Sequence, residues 1–187
     1  MRTFIALGIP LSPNCIKLLN SLKQKLGQER IRWVNFDTLH LTLFFLGEAN
    51  QMQVNEIDSV FKAHISSFAP LEIALKGIGT FGQKNYPKVL WLGVEESEML
   101  KELHAEVNRV VSPIGFTSDQ RGFNPHITIG RIKSIENIQL IESIVKEASN
   151  QSIQRSMVDR ITLYKSTLTP NGAIYSTLLE QDLMGKV

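Results

Sequence analysis

The chain has 187 residues, 43% of them hydrophobic, and a formal net charge of +2. That is enough for one sizeable domain or two small lobes with a real core, and the charge suits an anionic ligand without naming one. A single cysteine, Cys15, excludes an intramolecular disulfide, and no run approaches the roughly 18 apolar residues of a membrane span.

The opening stretch MRTFIALGIPLSP holds a short apolar run broken by Pro10 and Pro13. It lacks the long apolar core and small-residue cleavage site of a signal peptide, so a cytoplasmic protein is expected. Thr3 to Ile9 reads as a strand. A helix follows, with Ser12 as N-cap, Pro13 in its first turn and Gly27 as its stop. In DTLHLTLFFLG, Leu39, Leu41 and Leu43 alternate with His40 and Thr42. Strict alternation of this kind argues for a strand with histidine and threonine on one face and leucines on the other. Residues 51–68 read as an amphipathic helix, with Val54, Ile57, Val60, Phe61 and Ile65 at helical spacing. Residues 71–81 read as a strand.

The second half repeats the order. Lys88 to Val94 is a predicted strand. Ser97 caps a predicted helix carrying Leu100, Leu103, Val107 and Val110 on one side. In NPHITIGR, His126 and Thr128 alternate with Ile127 and Ile129, and Pro125 suits a strand start. Residues 137–150 read as a helix and 157–168 as one strand. The offset from Gly8 to His40 is 32 residues and that from Gly93 to His126 is 33. A unit used twice, roughly 1–86 and 87–187, suggests two sheet-and-helix lobes related by a pseudo-two-fold axis. The stretch GQKNYP, Gly82 to Pro87, is the expected joint.

Such an axis places His40 and Thr42 opposite His126 and Thr128 across one cleft. Imidazole titrates near pH 6.5, so one ring can accept a proton while the other donates. On opposite sides of a phosphorus atom the pair suits in-line displacement, with general acid–base help of about 10²–10⁴-fold per group. The threonine hydroxyls can donate to phosphoryl oxygens as charge develops there. No metal and no cofactor is called for. His40 with Asp37, or His126 with Asp119, lacks a third strong ligand at a fixed spacing. GIGTFG, Gly77 to Gly82, matches a dinucleotide-binding pattern, but no helix opens after it, and it reads as a loop. His64 and His104 have no partner motif and read as surface or boundary residues.

Taken together, RTFIALGIP, IRWVNFDTLHLTLFFLGE, VLWLGV, FNPHITIGR and YKSTLTPNGAIYSTL resemble the 2H phosphoesterase superfamily over nearly the whole chain. Within it they are most similar to the RNA 2′,3′-cyclic phosphodiesterases, first described as 2′-5′ RNA ligases. The resemblance implies one bilobal α+β domain spanning 1–187. Each lobe is a mainly antiparallel sheet with helices on its outer face, the active cleft lies between the lobes, and each lobe can draw strands from both halves. It implies hydrolysis of RNA 2′,3′-cyclic phosphate ends to 2′-phosphomonoesters, with His40 as proton donor, His126 as proton acceptor, and Thr42 and Thr128 as phosphate ligands. The residues alone are symmetric and do not assign donor and acceptor. Arg131 stands five residues after His126, so it shares the histidine face only if the strand bends at Gly130; a guanidinium there could bind phosphate bidentately. Trp33 and Phe45 could stack on a base, and Ser166 and Tyr175 are further candidate contacts. RNA ends or cyclic nucleotides are the expected partners of a monomeric protein. Two alternatives stay open: a cyclic phosphate on a small nucleotide or ADP-ribose, and a non-catalytic module that binds RNA ends.

Overall fold

The computed structural model describes residues 1–117, 122–170 and 172–186. Asp119 lies outside them. The expected α+β class is what the chain adopts. Its strands are β1 (Arg2–Gly8), β2 (Arg30–Trp33), β3 (His40–Glu48), β4 (Leu71–Gln83), β5 (Tyr86–Val94), β6 (His126–Ser134), β7 (Ser152–Val158), β8 (Arg160–Thr169) and β9 (Gly172–Asp182). Its α-helices are α1 (Pro13–Lys25), α2 (Gln51–Val60), α3 (Glu98–Val111) and α4 (Ile138–Ala148). The caps sit where their side chains predict: Ser12 Oγ accepts from the Cys15 amide and Ser97 Oγ from the Leu100 amide. α2 runs on into one π-helical turn, Phe61–Ile65, in which the Ser66 amide donates to the Phe61 carbonyl.

Two antiparallel sheets result, with strand orders β3-β1-β8-β9 and β2-β6-β5-β4-β7. The pairing exchanges strands between the two halves of the sequence. β4, from the first half, pairs with β5 and β7 of the second sheet. β8, from the second half, pairs with β1 and β9 of the first. Gly82 to Pro87 is therefore not a joint between lobes. It is the turn of a hairpin inside one sheet, with Gln83 opposite Tyr86. The predicted strand over 157–168 is likewise two strands broken at Asp159, where the chain leaves one sheet for the other. β2 and β9 escape prediction: the alternation of Ile31 and Trp33 with arginines in β2 is only four residues long, and β9 is mostly exposed and shows no apolar alternation.

GIGTFG lies inside β4, not in a loop. A Cβ on Gly77, whose φ is +79°, would meet the Ser149 carbonyl oxygen at 2.7 Å, and one on Gly79 would meet the Trp91 ring at 2.2 Å. These glycines admit a helix end and an indole. The core takes the apolar faces of both motif strands. Leu39, Leu41, Leu43, Ile127 and Ile129 are all buried, together with Val54 and Ile57 of α2, Leu100 and Leu103 of α3, and Ile141 of α4. Among the described residues no helix is long and apolar enough to cross a membrane.

Candidate active site

β3 and β6 have the same burial pattern, position by position, over nine residues. The histidine and threonine of each are half-buried, the residues between them are buried, and the sixth position is exposed. Gly8 is the Cα partner of His40, and Gly93 that of His126. The near-equal offsets in the sequence are thus the span from a strand's last positions to the first residue of its antiparallel neighbour.

Both motif strands carry a β-bulge directly after the threonine. Ile5 pairs with Phe44 and Ala6 with Thr42, which leaves Leu43 as the extra residue. Leu90 pairs with Gly130 and Trp91 with Thr128, which leaves Ile129. One extra residue shifts the alternation by one, so Phe45 and Arg131 come onto the histidine face. That is the bend on which a cleft position for Arg131 depends. Gly130 permits it locally, since a Cβ there would meet Ile31 Cγ2 at 2.7 Å.

A cavity of about 660 Å³ lies between the motif strands, within the range of small-ligand sites. His40, Thr42, His126, Thr128, Arg131, Trp33, Phe45, Ser166 and Tyr175 all line it. The two rings are held alike. His40 Nδ1 lies 2.8 Å from the Thr38 carbonyl oxygen, and His126 Nδ1 lies 2.8 Å from that of Asn124. A carbonyl only accepts, so each Nδ1 carries the proton, and each Nε2 of a neutral ring is left as the acceptor.

The surroundings differ. His40 lies against Phe4, with centroids 4.9 Å apart, and edge-on to Tyr175 at 5.2 Å. His126 meets Phe81 edge-on at 4.7 Å, with Trp91 6.5 Å away. Burial holds the His40 pKa below the ordinary imidazole value. The Thr38 carbonyl opposes this, and the positive charges of Arg131 and His126 push it lower again. Among the described residues, no three His, Cys, Asp or Glu side chains converge as metal ligands. Of the other histidines, His64 is exposed, whereas His104 is half-buried and stacked on Phe123 at 3.9 Å.

The family model of the 2′-5′ RNA ligase superfamily matches residues 10–169. The chain belongs to this superfamily. A Thermotoga maritima RNA 2′,3′-cyclic phosphodiesterase is 36% identical over 187 residues, covering 99% of this chain and 97% of the relative. A Methanocaldococcus jannaschii protein of the same name is 34% identical over 180 residues, covering 96% and 99%. The fold is shared with a Thermus thermophilus protein (TM-score 0.80, 24% identity, all of both chains). It is also shared with Escherichia coli LigT in complex with 3′-AMP (TM-score 0.72, 23% identity, 97% of both chains). The resemblance carried by the two motifs is borne out at the level of the family.

Sequence reasoning passed over several residues of this cleft. Phe4, on β1, and Phe81, on β4, pack against the two histidine rings. Arg2 and Arg32 line the cavity as well. Arg32 was visible only as a neighbour of Trp33. An arginine opening a strand, as Arg2 does, carries no spacing signal.

Proposed function

We propose that the protein hydrolyses RNA ending in a 2′,3′-cyclic phosphate and leaves a 2′-phosphomonoester, by acid–base catalysis from its two motif histidines. The observation that carries this reading is the matched pair of imidazoles. Each has its Nδ1 proton tied to a carbonyl two residues earlier, and both rings line one cavity with two threonines. The names of the full-length relatives from Thermotoga maritima and Methanocaldococcus jannaschii support the substrate class.

In this scheme His126 Nε2 takes a proton from water, and the water oxygen attacks phosphorus in line with the 3′ oxygen. The P–O3′ bond breaks, and protonated His40 gives its Nε2 proton to the departing oxygen, which becomes the 3′ hydroxyl. Thr42 and Thr128 donate to the non-bridging oxygens. Arg131 offsets their charge, and Trp33, Phe45, Ser166 and Tyr175 hold the terminal nucleoside. In the free protein, burial and the nearby cations disfavour the protonated His40 that this role needs. A cyclic phosphate anion entering the cleft supplies the opposite charge and favours it. No step calls for a metal ion.

The test is incubation of the purified protein, with chelator present, with a short RNA bearing a 2′,3′-cyclic phosphate. Expected is a new 2′-phosphomonoester; a 3′-phosphomonoester, or no hydrolysis, overturns the scheme.

A further inference from the structure

We propose that the cleft holds a second nucleotide, with the phosphodiester that joins it to the terminal one bound by Arg2 and Arg32. This deepens the reading as an RNA-end hydrolase and rests on it. It makes a chain of at least two nucleotides, rather than a cyclic mononucleotide, the preferred substrate.

The charges of the molecule are unevenly neutralised. Arg109, Arg155 and Arg160, outside the cleft, each pair with one or two carboxylates. Arg2, Arg32 and Arg131 line the cleft, and no Asp or Glu lines it with them among the described residues. Glu48 stands opposite Arg2 on β3, but its carboxylate is taken by the amino group of Met1 at 2.9 Å. Arg32 and Arg131 are direct cross-strand partners between β2 and β6. Like charges in that position are destabilising, and an anion between or beside them relieves the cost.

These guanidinium groups do not all serve one phosphate. Arg131 stands on β6 itself, on the face that carries His126, whereas Arg2 opens β1 of the other sheet and Arg32 lies on β2 at the sheet edge. Phe4 lies against the His40 ring, and Arg2 is two residues further along the same face of β1, about 7 Å. The β8–β9 hairpin marks this end of the cleft. Its pairing with β1 stops at Thr3 and Lys165, so Ser166 to Thr169 and Gly172 to Tyr175 overhang the first sheet. The overhang reaches the second sheet, where Arg32 Nη2 donates to the Pro170 carbonyl oxygen at 2.8 Å. Leu168 shares the cleft face of the hairpin with Ser166, and it is 67% exposed; Phe45 is 69% exposed. Two cations with no carboxylate partner among the described residues, and an apolar wall beside them, fit a phosphodiester and its base.

The experiment compares kcat/KM for a nucleoside 2′,3′-cyclic phosphate with that for a dinucleotide ending in the same group, at 50 and 200 mM salt. In the wild-type protein the dinucleotide should be preferred. Its kcat/KM should also fall about 2.6-fold more over that salt range for each additional phosphate contact, from a slope near −0.7 per contact. Arg2→Ala should remove roughly tenfold of the dinucleotide rate and the extra salt dependence, with the mononucleotide rate as internal control. Arg2→Lys should restore part of both, and Leu168→Ser should lower the dinucleotide preference alone. Equal rates for the two substrates in the wild type, or an equal loss on both in Arg2→Ala, would overturn the second subsite and leave the hydrolase reading standing. Failure to cleave either substrate would overturn the hydrolase reading itself.

Discussion

Gly8 and Gly93 occupy equivalent positions opposite the two histidines, but the room above them differs. A Cβ on Gly8 would find its nearest neighbour, Tyr164 Oη, at 3.8 Å, an ordinary contact. A Cβ on Gly93 would sit 2.3 Å from the main-chain oxygen of Lys76, where β4 bulges toward Gly77. A backbone oxygen in a paired strand cannot rotate away, so β4 and β5 must part by about 0.7 Å even to reach 3.0 Å. Overpacking of this kind costs about 1–3 kcal/mol, or roughly 2–12 °C in Tm for a domain of this size. Gly8→Ala should instead be neutral or gain about 0.4–1 kcal/mol, because it restricts the unfolded chain. The strand displaced in Gly93→Ala is the one paired with His126, and misplacing a catalytic group by about 1 Å costs up to about 10²-fold in rate. Urea unfolding and kcat on a cyclic-phosphate dinucleotide, measured side by side, decide the matter. If the two alanine variants proved equally stable and equally active, the reasoning from strand spacing would be wrong.

Four further outcomes are expected. His40→Ala and His126→Ala should each lower kcat by about 10²–10⁴-fold with little change in urea midpoint, while His64→Ala should match wild type in both measurements. Activity should persist in EDTA, and loss that Zn²⁺ or Mn²⁺ restores would refute the metal-free scheme. The profile of kcat/KM against pH should be bell-shaped. Because burial lowers the His40 pKa in the free protein and bound phosphate favours the imidazolium, the limb that reports His40 should lie at lower pH for kcat/KM than for kcat. Arg131→Ala removes a positive charge that presses this pKa down, so the limb belonging to His40 should move to higher pH; if the acidic limb moved instead, the acid and base roles would be reversed.

Local information carried much of this. Alternation of leucine with His40 and Thr42 marks a strand with one wet face, and a serine ahead of an amphipathic run marks a helix start at Ser12 and Ser97. Near-equal offsets from glycine to histidine disclosed a repeated unit, because the return of the chain to an antiparallel neighbour leaves its span in the sequence. That the lobes mix strands came from the family resemblance alone; which strands cross, β2 and β4 one way and β8 and β9 the other, was not legible in the residues, because which sheet a strand joins is settled by its distant partners. The bulges at Leu43 and Ile129 were equally silent. A buried extra residue resembles any other apolar residue in the strand, so the faces taken by Phe45 and Arg131 depended on the pairing register. The glycines of GIGTFG misled in another way: glycines at this density read as a loop, but they lie in β4, where Gly79 seats Trp91.

The chain passes between the two sheets four times, from β1 to β2, β2 to β3, β3 to β4 and β7 to β8. Enzymes that close like jaws do so on a hinge of a few residues joining two self-contained bodies. Here each sheet takes two strands from the other half of the sequence, β8 and β9 in one and β2 and β4 in the other, and bending at any one crossing is resisted by the other three and by the bond from Arg32 to Pro170. His40 and His126 stand on different sheets, so their separation is set by these crossings and by the core the two sheets share. In the proposed reaction the geometry of in-line attack would then be present in the free protein rather than assembled on binding.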